Sequence, residues 1–405
     1  MITEQHVPQF RFKGFSDSWE QRKFSELFQK SSEKNTNLSF SRSQVLTGAT
    51  MTDSDRDINS DDDYMKTYNV IHVGDILFEG HTSKQFAFGR FVLDDYRDGI
   101  VSHVFDIYRP KAKMNLSFWK YYIHDENVMR PILVRATSNA RMLNALSSSE
   151  FLKQSVFVPS ENEQAKIGNL LEQIDSTIAL HQRKLELLKR LKQGYLQKLF
   201  PQNGENVPEL RFKGYSDAWE KRKLSEVTNL ITKGTTPREK GGRGEVNFIK
   251  VENLSKNGNI FTTSKVSVSE HQGYLARSIL QENDILFSIA GSLGRTAIVP
   301  KLVLPANTNQ ALAIIRLSTG CVEFVATYLS GEAIDRYIRR NPTVGAQPNI
   351  SLTQVASLQI DWPSLHEQEV ISKLFARVKD LIAATQHKIN LLKKLKQGYL
   401  QRIFC

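Results

Sequence analysis

Glycine-rich and histidine-containing stretches are where this sequence would most readily reveal a catalytic centre, and each lacks part of the required pattern. Gly291-Ser292-Leu293-Gly294-Arg295 has no Lys-Ser/Thr pair after it, as a phosphate-binding loop requires. Gly241-Gly242-Arg243-Gly244 is too short for a dinucleotide fingerprint, and Asn341-Pro342-Thr343 lacks the second proline and the aromatic residue of an adenine-methylation motif. No Gly-x-Ser-x-Gly or His-Glu-x-x-His pattern occurs. The sequence predicts no catalytic residue, metal site or cofactor in this chain.

Basic and amide side chains beside glycines are abundant, and they favour a different chemistry. Arg pairs with guanine and Asn or Gln with adenine, whereas Lys and Arg also neutralise phosphates without reading sequence. Any one such residue fits a solvated surface loop equally well, but as a group they favour DNA contact. The candidate DNA-binding residues are Ser83, Lys84, Arg90, Arg135, Asn139 and Arg141 in the first half and Lys233, Thr236, Arg238, Arg243, Arg295 and Gln347 in the second.

The composition agrees with a polyanionic partner. Lys and Arg number 54 against 43 Asp and Glu, a formal net charge of +11, which favours nucleic acid without identifying it. The two cysteines, Cys321 and Cys405, allow no disulfide framework or zinc spacing. The start of the sequence is polar, and no apolar run is long enough for a membrane helix. We expect a cytoplasmic protein that does not enter a membrane.

Two duplicated stretches show how these residues are positioned. Lys192-Gln193-Gly194-Tyr195-Leu196-Gln197 returns at 396–401, and residues 8–27 return at 208–227 with 13 of 20 positions identical. The chain is therefore built twice. In both copies of the 20-residue stretch, a serine stands shortly before the Trp-Glu pair. Ser16 and Ser216 are therefore predicted to be the N-caps of short helices.

Each half has the pattern of a mixed α/β domain. Asp75-Ile76-Leu77-Phe78 and its counterpart at 284–287 predict a buried strand that follows a turn. Residues 116–128 and 322–340 lie at matching places in the two halves, and both have helical periodicity.

A heptad pattern closes each half. Its apolar positions follow spacings of four and three through more than four repeats, which predicts two long helices that pair as an antiparallel coiled coil. Some 34 residues would make a rod of roughly 50 Å. Apolar residues off this seam imply a further partner, namely Leu170, Leu180, Leu187 and Leu191. The seam residues expected in helix or subunit contacts are Ile174, Ile178, Leu185, Leu188 and Tyr195, with Val378, Ile382, Ile389, Leu392 and Tyr399 in the second copy.

The predicted organisation alternates globular and helical segments. A first globular domain spans 1–158, a central helix 159–200 and a linker 201–209, where the sequence is polar with Gly and Pro. A second globular domain follows at 210–362 and a C-terminal helix at 363–405. An antiparallel helix pair would relate the halves by a pseudo-twofold axis.

Six short motif elements follow one another through the second half, at Gly234-Thr235-Thr236-Pro237, Asn283-Asp284-Ile285-Leu286-Phe287, Gly291-Ser292-Leu293-Gly294, Asn309-Gln310, Gly345-Ala346-Gln347-Pro348-Asn349 and Pro363 with Glu367-Gln368. Pro159 with Glu163-Gln164 repeats the last of these elements in the first half. In these elements, their order and the duplication, the whole chain resembles the specificity subunit of type I restriction–modification systems. The first half departs from the family's pattern, because it has no Gly-x-Thr-Pro and carries Glu79-Gly80-His81-Thr82-Ser83 in place of Gly-Ser-x-Gly.

The resemblance implies a non-catalytic role. Two target-recognition domains would each read one half of a bipartite double-stranded DNA target, and the coiled coil would set the spacer between the halves. Two methyltransferase (M) subunits would dock and methylate adenine with S-adenosylmethionine. Restriction/translocase (R) subunits would use ATP and Mg for cleavage. None of these cofactors would belong to this chain.

Two other functions remain open from the residues alone. A self-contained methyltransferase or nuclease with an internal repeat would need a methyl-donor or metal site, and it would transfer methyl groups without a partner. A coiled-coil adaptor that binds only protein would leave DNA without two protected patches in a footprint.

Overall fold

The computed structural model describes residues 7–54, 61–139, 144–202, 204–238, 244–255, 257–340 and 349–404. The chain forms two compact units, the first from Met1–His181 with His387–Cys405 and the second from Gln182–Gln386. Both units mix helices and sheets, as the sequence predicts. The units divide inside the two long helices, whereas the boundaries expected from the sequence separate globular from helical segments. Those boundaries remain a prediction.

The first unit is built on a four-stranded antiparallel sheet with the order β2-β7-β4-β5, and strands β1 with β10, β3 with β6 and β8 with β9 form separate pairs. Its strands are β1 Glu20–Lys23, β2 Phe28–Ser31, β3 Asn69–Ile71, β4 Ile76–Glu79, β5 Arg90–Leu93, β6 Gly99–Val101, β7 Asp106–Pro110, β8 Thr137–Asn139, β9 Asn144–Leu146 and β10 Ser155–Val158. Its helices are α1 Phe24–Leu27, α2 Asp62–Met65, α3 Leu116–Tyr122, α4 Glu126–Ala136 and α5 Ser148–Lys153, followed by α6 Glu161–Lys198, which continues into the second unit.

The second unit repeats this plan with a four-stranded sheet of order β12-β18-β15-β16, and it adds the three-stranded sheet β14-β13-β17. Its strands are β11 Glu220–Lys223, β12 Thr228–Lys233, β13 Val246–Ile249, β14 Ser264–Val266, β15 Ile285–Ser288, β16 Thr296–Ile298, β17 Ala306–Thr308, β18 Leu312–Leu317 and β19 Gln359–Trp362. Its helices are α7 Val268–Gln272, α8 Val322–Leu329, α9 Glu332–Arg340 and α10 Leu352–Ala356, followed by α11 Leu365–Ile403, which continues into the first unit.

The same turn precedes β4 and β15, and its backbone conformation explains why one copy has Gly and the other has Asn at the equivalent position. Gly74 has φ +99° and Asn283 has φ +70°, a left-handed conformation that these two residue types adopt most readily. The aspartate that follows each is fully buried and pairs with an arginine of the neighbouring strand. In the second unit, Arg316 donates to Asp284 at 2.7 and 2.8 Å, and these bonds raise the pKa of Arg316. The predicted buried strands are confirmed.

The two segments with helical periodicity are broken in the structure. Residues 116–128 contain the end of α3 and the start of α4, because Asp125 accepts bonds from the backbone of Asn127 and Val128 and starts a new helix. Ser330 and Gly331 likewise separate α8 from α9. The predicted caps at Ser16 and Ser216 are wrong, since a turn leads directly to β1 and β11, which pair with β10 and β19.

The two long helices lie side by side in antiparallel directions within each unit. In the first unit, Asp175 of α6 pairs with Lys396 of α11, whereas Leu171 shares a cluster with Ile403. In the second unit, Phe200, two residues after the end of α6, packs on Phe375 of α11 with ring centroids 6.0 Å apart. The predicted seam faces inward: Ile174, Ile178, Leu185, Val378 and Ile389 are buried, and Leu188, Tyr195, Ile382, Leu392 and Tyr399 are half-buried.

The phenylalanine that ends each duplicated helical stretch lies in an aromatic core. Phe404 contacts Phe118 and Tyr122 in the first unit, at centroid distances of 5.9 and 5.1 Å. Phe200 contacts Trp219 and Phe324 in the second unit, at 6.2 and 5.5 Å. The duplicated stretch therefore anchors the helix end in a globular core. Across the described segments, no helix is long and apolar enough to cross a membrane.

The fully buried Asp94 gives a pH-dependent test of the first unit. Its Oδ1 accepts from the backbone of Tyr96 at 3.0 Å, and Oδ2 has no hydrogen-bond partner among the described residues. Burial raises the pKa of Asp94 to about 6. Because an unfolded aspartate titrates near ~3.9, the folded state holds this proton more tightly. The contribution of Asp94 to stability is therefore full below ~pH 4 and is lost as the pH rises through about 6.

Asp94→Asn removes this titration, so we expect the variant to gain stability relative to the parent between pH 4 and pH 7. Denaturant midpoints measured across that range would show the difference. Parallel pH profiles in the two proteins would contradict the assignment.

Candidate nucleic-acid interface

The motif-bearing loops of the second unit meet at one end of its four-stranded sheet. Lys233 at the end of β12 lies opposite Ala313 of β18, and Ser288 at the end of β15 lies opposite Leu312. Phe287 pairs with Thr296, the first residue of β16. The loops that follow β12, precede β18 and join β15 to β16 therefore emerge together. We call this region the second loop end.

Two motifs that are far apart in sequence touch there. The Thr236 hydroxyl donates to Gln310 Oε1 at 2.5 Å, and the backbone N–H of Thr235 donates to the Thr308 carbonyl at 3.1 Å. A Cβ built on Gly234 would lie 1.9 Å from the Thr308 oxygen, so glycine is required by the close approach of the two backbones. The Gly-x-Thr-Pro and Asn-Gln elements thus form one surface.

The loop between β15 and β16 is organised from within. Ser288 Oγ donates to the Ser292 carbonyl and accepts from the Arg295 backbone at 2.7 Å. Ile350 donates its backbone N–H to Ile289 at 2.9 Å, which places the segment from Asn349 beside this loop. The Arg295 side chain points back into the unit, where it donates to the carbonyls of Val251 and Leu254 at 3.4 and 3.2 Å.

Arg238 is held at the surface by an aromatic ring. Its guanidinium carbon lies 3.9 Å from the centroid of Tyr274, and its backbone N–H donates to the buried carboxylate of Glu270 at 2.5 Å. Tyr274, Glu270 and Gln310 were not among the candidates from the sequence. The Asn-Gln motif could have indicated Gln310, whereas nothing in the sequence indicates Tyr274.

The first unit presents the equivalent end of its own sheet. Ser31 lies opposite Ile107, Phe78 opposite Asp106, and Glu79 opposite Arg90, so the loop between β4 and β5 emerges there. We call this region the first loop end. A later segment of the chain bonds to the β4–β5 loop, since the Asn144 backbone N–H donates to the Gly80 carbonyl at 2.9 Å. The bond from Ile350 to Ile289 does the same at the second loop end.

Ser83, Lys84 and Arg90 all belong to the first loop end. The Ser83 hydroxyl accepts from the Phe86 backbone at 3.0 Å and turns the loop. Arg90 donates to Glu79 at 2.6 Å, and its guanidinium carbon lies 5.3 Å from the Phe86 ring centroid. Arg90 is therefore held in place by a charge and a ring, whereas Lys84 extends into solvent.

Three predicted cations are exposed and available. The side chains of Lys84, Arg135 and Lys233 form no hydrogen bond or ion pair with any other described residue. Arg135 lies in the last turn of α4, directly before β8. Of the other candidates, Arg141, Arg243 and Gln347 lie outside the described residues, and Asn139 is placed only by its backbone in β8.

The chemistry offered at the two loop ends is that of hydrogen bonding and charge. Ammonium, guanidinium, hydroxyl and amide groups can contact phosphates and base edges. Within the described part of the chain, no group of three or more His, Cys, Asp and Glu side chains is placed to hold a metal ion.

Comparison with known proteins agrees with this architecture. The model of the type I restriction modification DNA specificity domain matches residues 16–190 and 216–394. The putative type I restriction enzyme MjaX specificity subunit of Methanocaldococcus jannaschii is 25% identical over 211 residues, which cover 49% of this chain and 48% of that protein. The type I restriction enzyme EcoBI specificity subunit of Escherichia coli is 23% identical over 261 residues, or 59% and 54%. The chain spans about half the length of these relatives.

Solved structures show the same fold. The S subunit of the type I restriction–modification system from M. genitalium superposes with a TM-score of 0.59 at 13% identity, over 99% of both chains. The HsdS subunit from Thermoanaerobacter tengcongensis gives a TM-score of 0.52 at 18% identity, over 95% of this chain and 96% of that one.

Fold and motifs together define a duplicated α/β protein with two long helices and polar loops at equivalent sheet ends. Because the family model covers most of both halves, the chain belongs to the type I restriction modification DNA specificity domain family.

Gly234→Ala tests the packing of the second loop end. The added Cβ would meet the Thr308 carbonyl at 1.9 Å, so we expect a loss of stability on the order of 1–3 kcal/mol as the two loops separate. Gly194→Ala is the control, because a Cβ there meets nothing within 4 Å and alanine favours a helix by about 0.5–1 kcal/mol. Urea midpoints would distinguish the two variants. If Gly234→Ala were as stable as the parent, the close approach would be incorrect.

Proposed function

We propose that this chain is the non-catalytic, sequence-specific DNA-binding subunit of a type I restriction–modification complex. One observation carries the proposal: two equivalent sheet ends on one repeated framework present different polar loops. The second loop end joins Thr236 to Gln310, whereas the first has Glu79 paired with Arg90. A common framework with different loops is what two readers of different DNA sequences require.

In this proposal, each globular part reads one half of a bipartite target in double-stranded DNA. Lys84, Arg135 and Lys233 neutralise phosphates, because they are exposed and have no internal partner among the described residues. Thr236 and Gln310 bond to each other and Arg238 lies against Tyr274, so these side chains are oriented and are better suited to base edges. Arg295 donates to two carbonyls inside the unit, so in this proposal it supports the loop and does not contact DNA.

The long helices have two proposed roles, to set the spacer between the two half-sites and to dock partner subunits. Exposed leucines supply apolar docking surfaces on the helices of each unit, namely Leu180, Leu391 and Leu395 in the first and Leu187, Leu191 and Leu381 in the second. We propose two methyltransferase subunits and restriction/translocase subunits as these partners, with S-adenosylmethionine, ATP and Mg bound by them. We propose that the chain and these partner subunits act on DNA in the cytoplasm.

The phosphate contacts are tested by salt dependence. Lys84→Ala and Lys233→Ala should each weaken DNA binding on all sequences and lower the slope of log K against log salt by about 1, because each removes one phosphate neutralisation. Lys113→Ala is a matched control, since Lys113 is exposed beyond the opposite end of β7. Fluorescence anisotropy of the assembled complex at several salt concentrations gives the slopes. Equal slopes in all four proteins would contradict the interface.

The division of the target between halves is tested by exchange. Replacing 228–358 with the corresponding segment of a relative of different specificity should change one half of the methylated sequence and leave the other half and the spacer intact. Sequencing of methylated adenines in cells would show the new target. A simultaneous change in both halves would contradict separate reading.

A further inference from the structure

Each unit has a cleft beside its pair of long helices, and the lining of the first cleft contains an internal ion pair. Lys396 of α11 donates to Asp175 of α6 at 2.7 Å, and the Tyr121 hydroxyl of α3 donates to the same carboxylate at 2.7 Å. The Lys396 ammonium also lies 4.8 Å from the Tyr121 ring centroid. Burial raises the pKa of Tyr121, which remains a hydrogen-bond donor. The charges and hydrogen-bonding groups of Lys396, Asp175 and Tyr121 are therefore paired with one another.

The equivalent place in the second unit has the same lysine but the opposite charge beside it. The internal repeat puts Lys192 in the position of Lys396, and it puts Lys379 in the position of Asp175. Thr327 of α8 takes the place of the tyrosine, as the matching Phe118 and Phe324 show. Burial, and then the charge of Lys379, lower the pKa of Lys192. The side chain of neither lysine forms a hydrogen bond or ion pair with another described residue.

These two lysines line a cleft of about 1070 Å³, against about 510 Å³ in the first unit. The Ser372 hydroxyl lines the same cleft and can donate to an anion, whereas the Thr327 and Ser330 hydroxyls donate to the carbonyls of Glu323 and Thr327. Its described charged lining is Lys192, Arg295, Lys301 and Lys379 with Glu282, Glu323 and Asp335, whereas the first cleft has Lys120 and Lys396 with Asp95, Asp125, Glu126 and Asp175. The balance of charge is therefore reversed between equivalent places.

Two like charges at one cleft are stabilised when an anion lies between them. Exposed leucines lie on the same two helices, Leu187 and Leu191 on α6 and Leu381 on α11. A pair of lysines without an internal carboxylate, on helices that also carry exposed leucines, matches an amphipathic protein segment with an acidic side chain.

We propose that Lys192 and Lys379 bind a carboxylate from an acidic, amphipathic segment of a protein partner. This inference rests on the proposed function, in which the partner is a methyltransferase subunit. Asp175 occupies the corresponding place in the first unit as a built-in carboxylate. The two units therefore offer a partner similar leucines but different charges, and only the second accepts the acidic side chain.

Lys379→Asp tests the proposal, because it reproduces in the second unit the ion pair of Asp175 with Lys396. The variant should unfold at no lower temperature than the parent. In native mass spectrometry and calorimetric titration of the full chain with its methyltransferase subunit, one of two binding steps should weaken about tenfold while the other is unchanged. Lys373→Asp is the matched control, since it places the same charge change at an exposed position of α11 outside the cleft.

Each outcome decides a different claim. Equal weakening of both steps, or no weakening, overturns the carboxylate site. Loss of duplex binding with normal subunit binding overturns it as well, because the lysines would then contact DNA phosphate. If the parent chain binds no methyltransferase subunit at all, the proposed function fails and this inference fails with it.

Discussion

A buried carboxylate at the start of each long helix joins the parts of each half. Arg11 donates two hydrogen bonds of 2.8 Å to Glu163, and Arg211 donates two of 2.8 and 2.9 Å to Glu367. Each glutamate side chain is only 1% exposed, so its charge is tolerable only while the arginine stays in place. Position in the first helical turn adds a favourable interaction with the helix dipole.

That pair explains why two distant stretches are duplicated together. The arginine belongs to the repeated Arg-Phe-Lys-Gly block, and the glutamate belongs to the Glu-Gln element that starts the helix. The glutamine beside it is also buried and donates back to the preceding proline carbonyl, at 2.9 Å for Gln164 and 3.0 Å for Gln368. Because the block and the helix start are locked, the loops at the far end of each sheet can differ without loosening the framework. Difference between the loops is what the proposed reading of two DNA half-sites needs.

The sequence predicted those features that depend on local pattern. The heptad spacing predicted both long helices, and the Asp-Ile-Leu-Phe element predicted the buried strands. It failed where a single polar residue overrides periodicity, as Asp125 does by starting α4. It also could not show the pairing of Thr236 with Gln310, since these residues are 74 positions apart and meet only through strand register. Only the folded structure shows that Lys396 lies beside a carboxylate, Asp175, whereas Lys192 lies near another cation, Lys379.

The central claim is that this chain selects the DNA sequence on which partner subunits act. A genome-wide map of methylated adenines, compared between cells with the intact gene and cells in which only this chain is deleted, tests it most directly. The account predicts one bipartite motif, with two specified parts and an unspecified spacer of constant length, that is methylated only when the chain is present. An unchanged methylation map, or the loss of a single continuous motif, would contradict it.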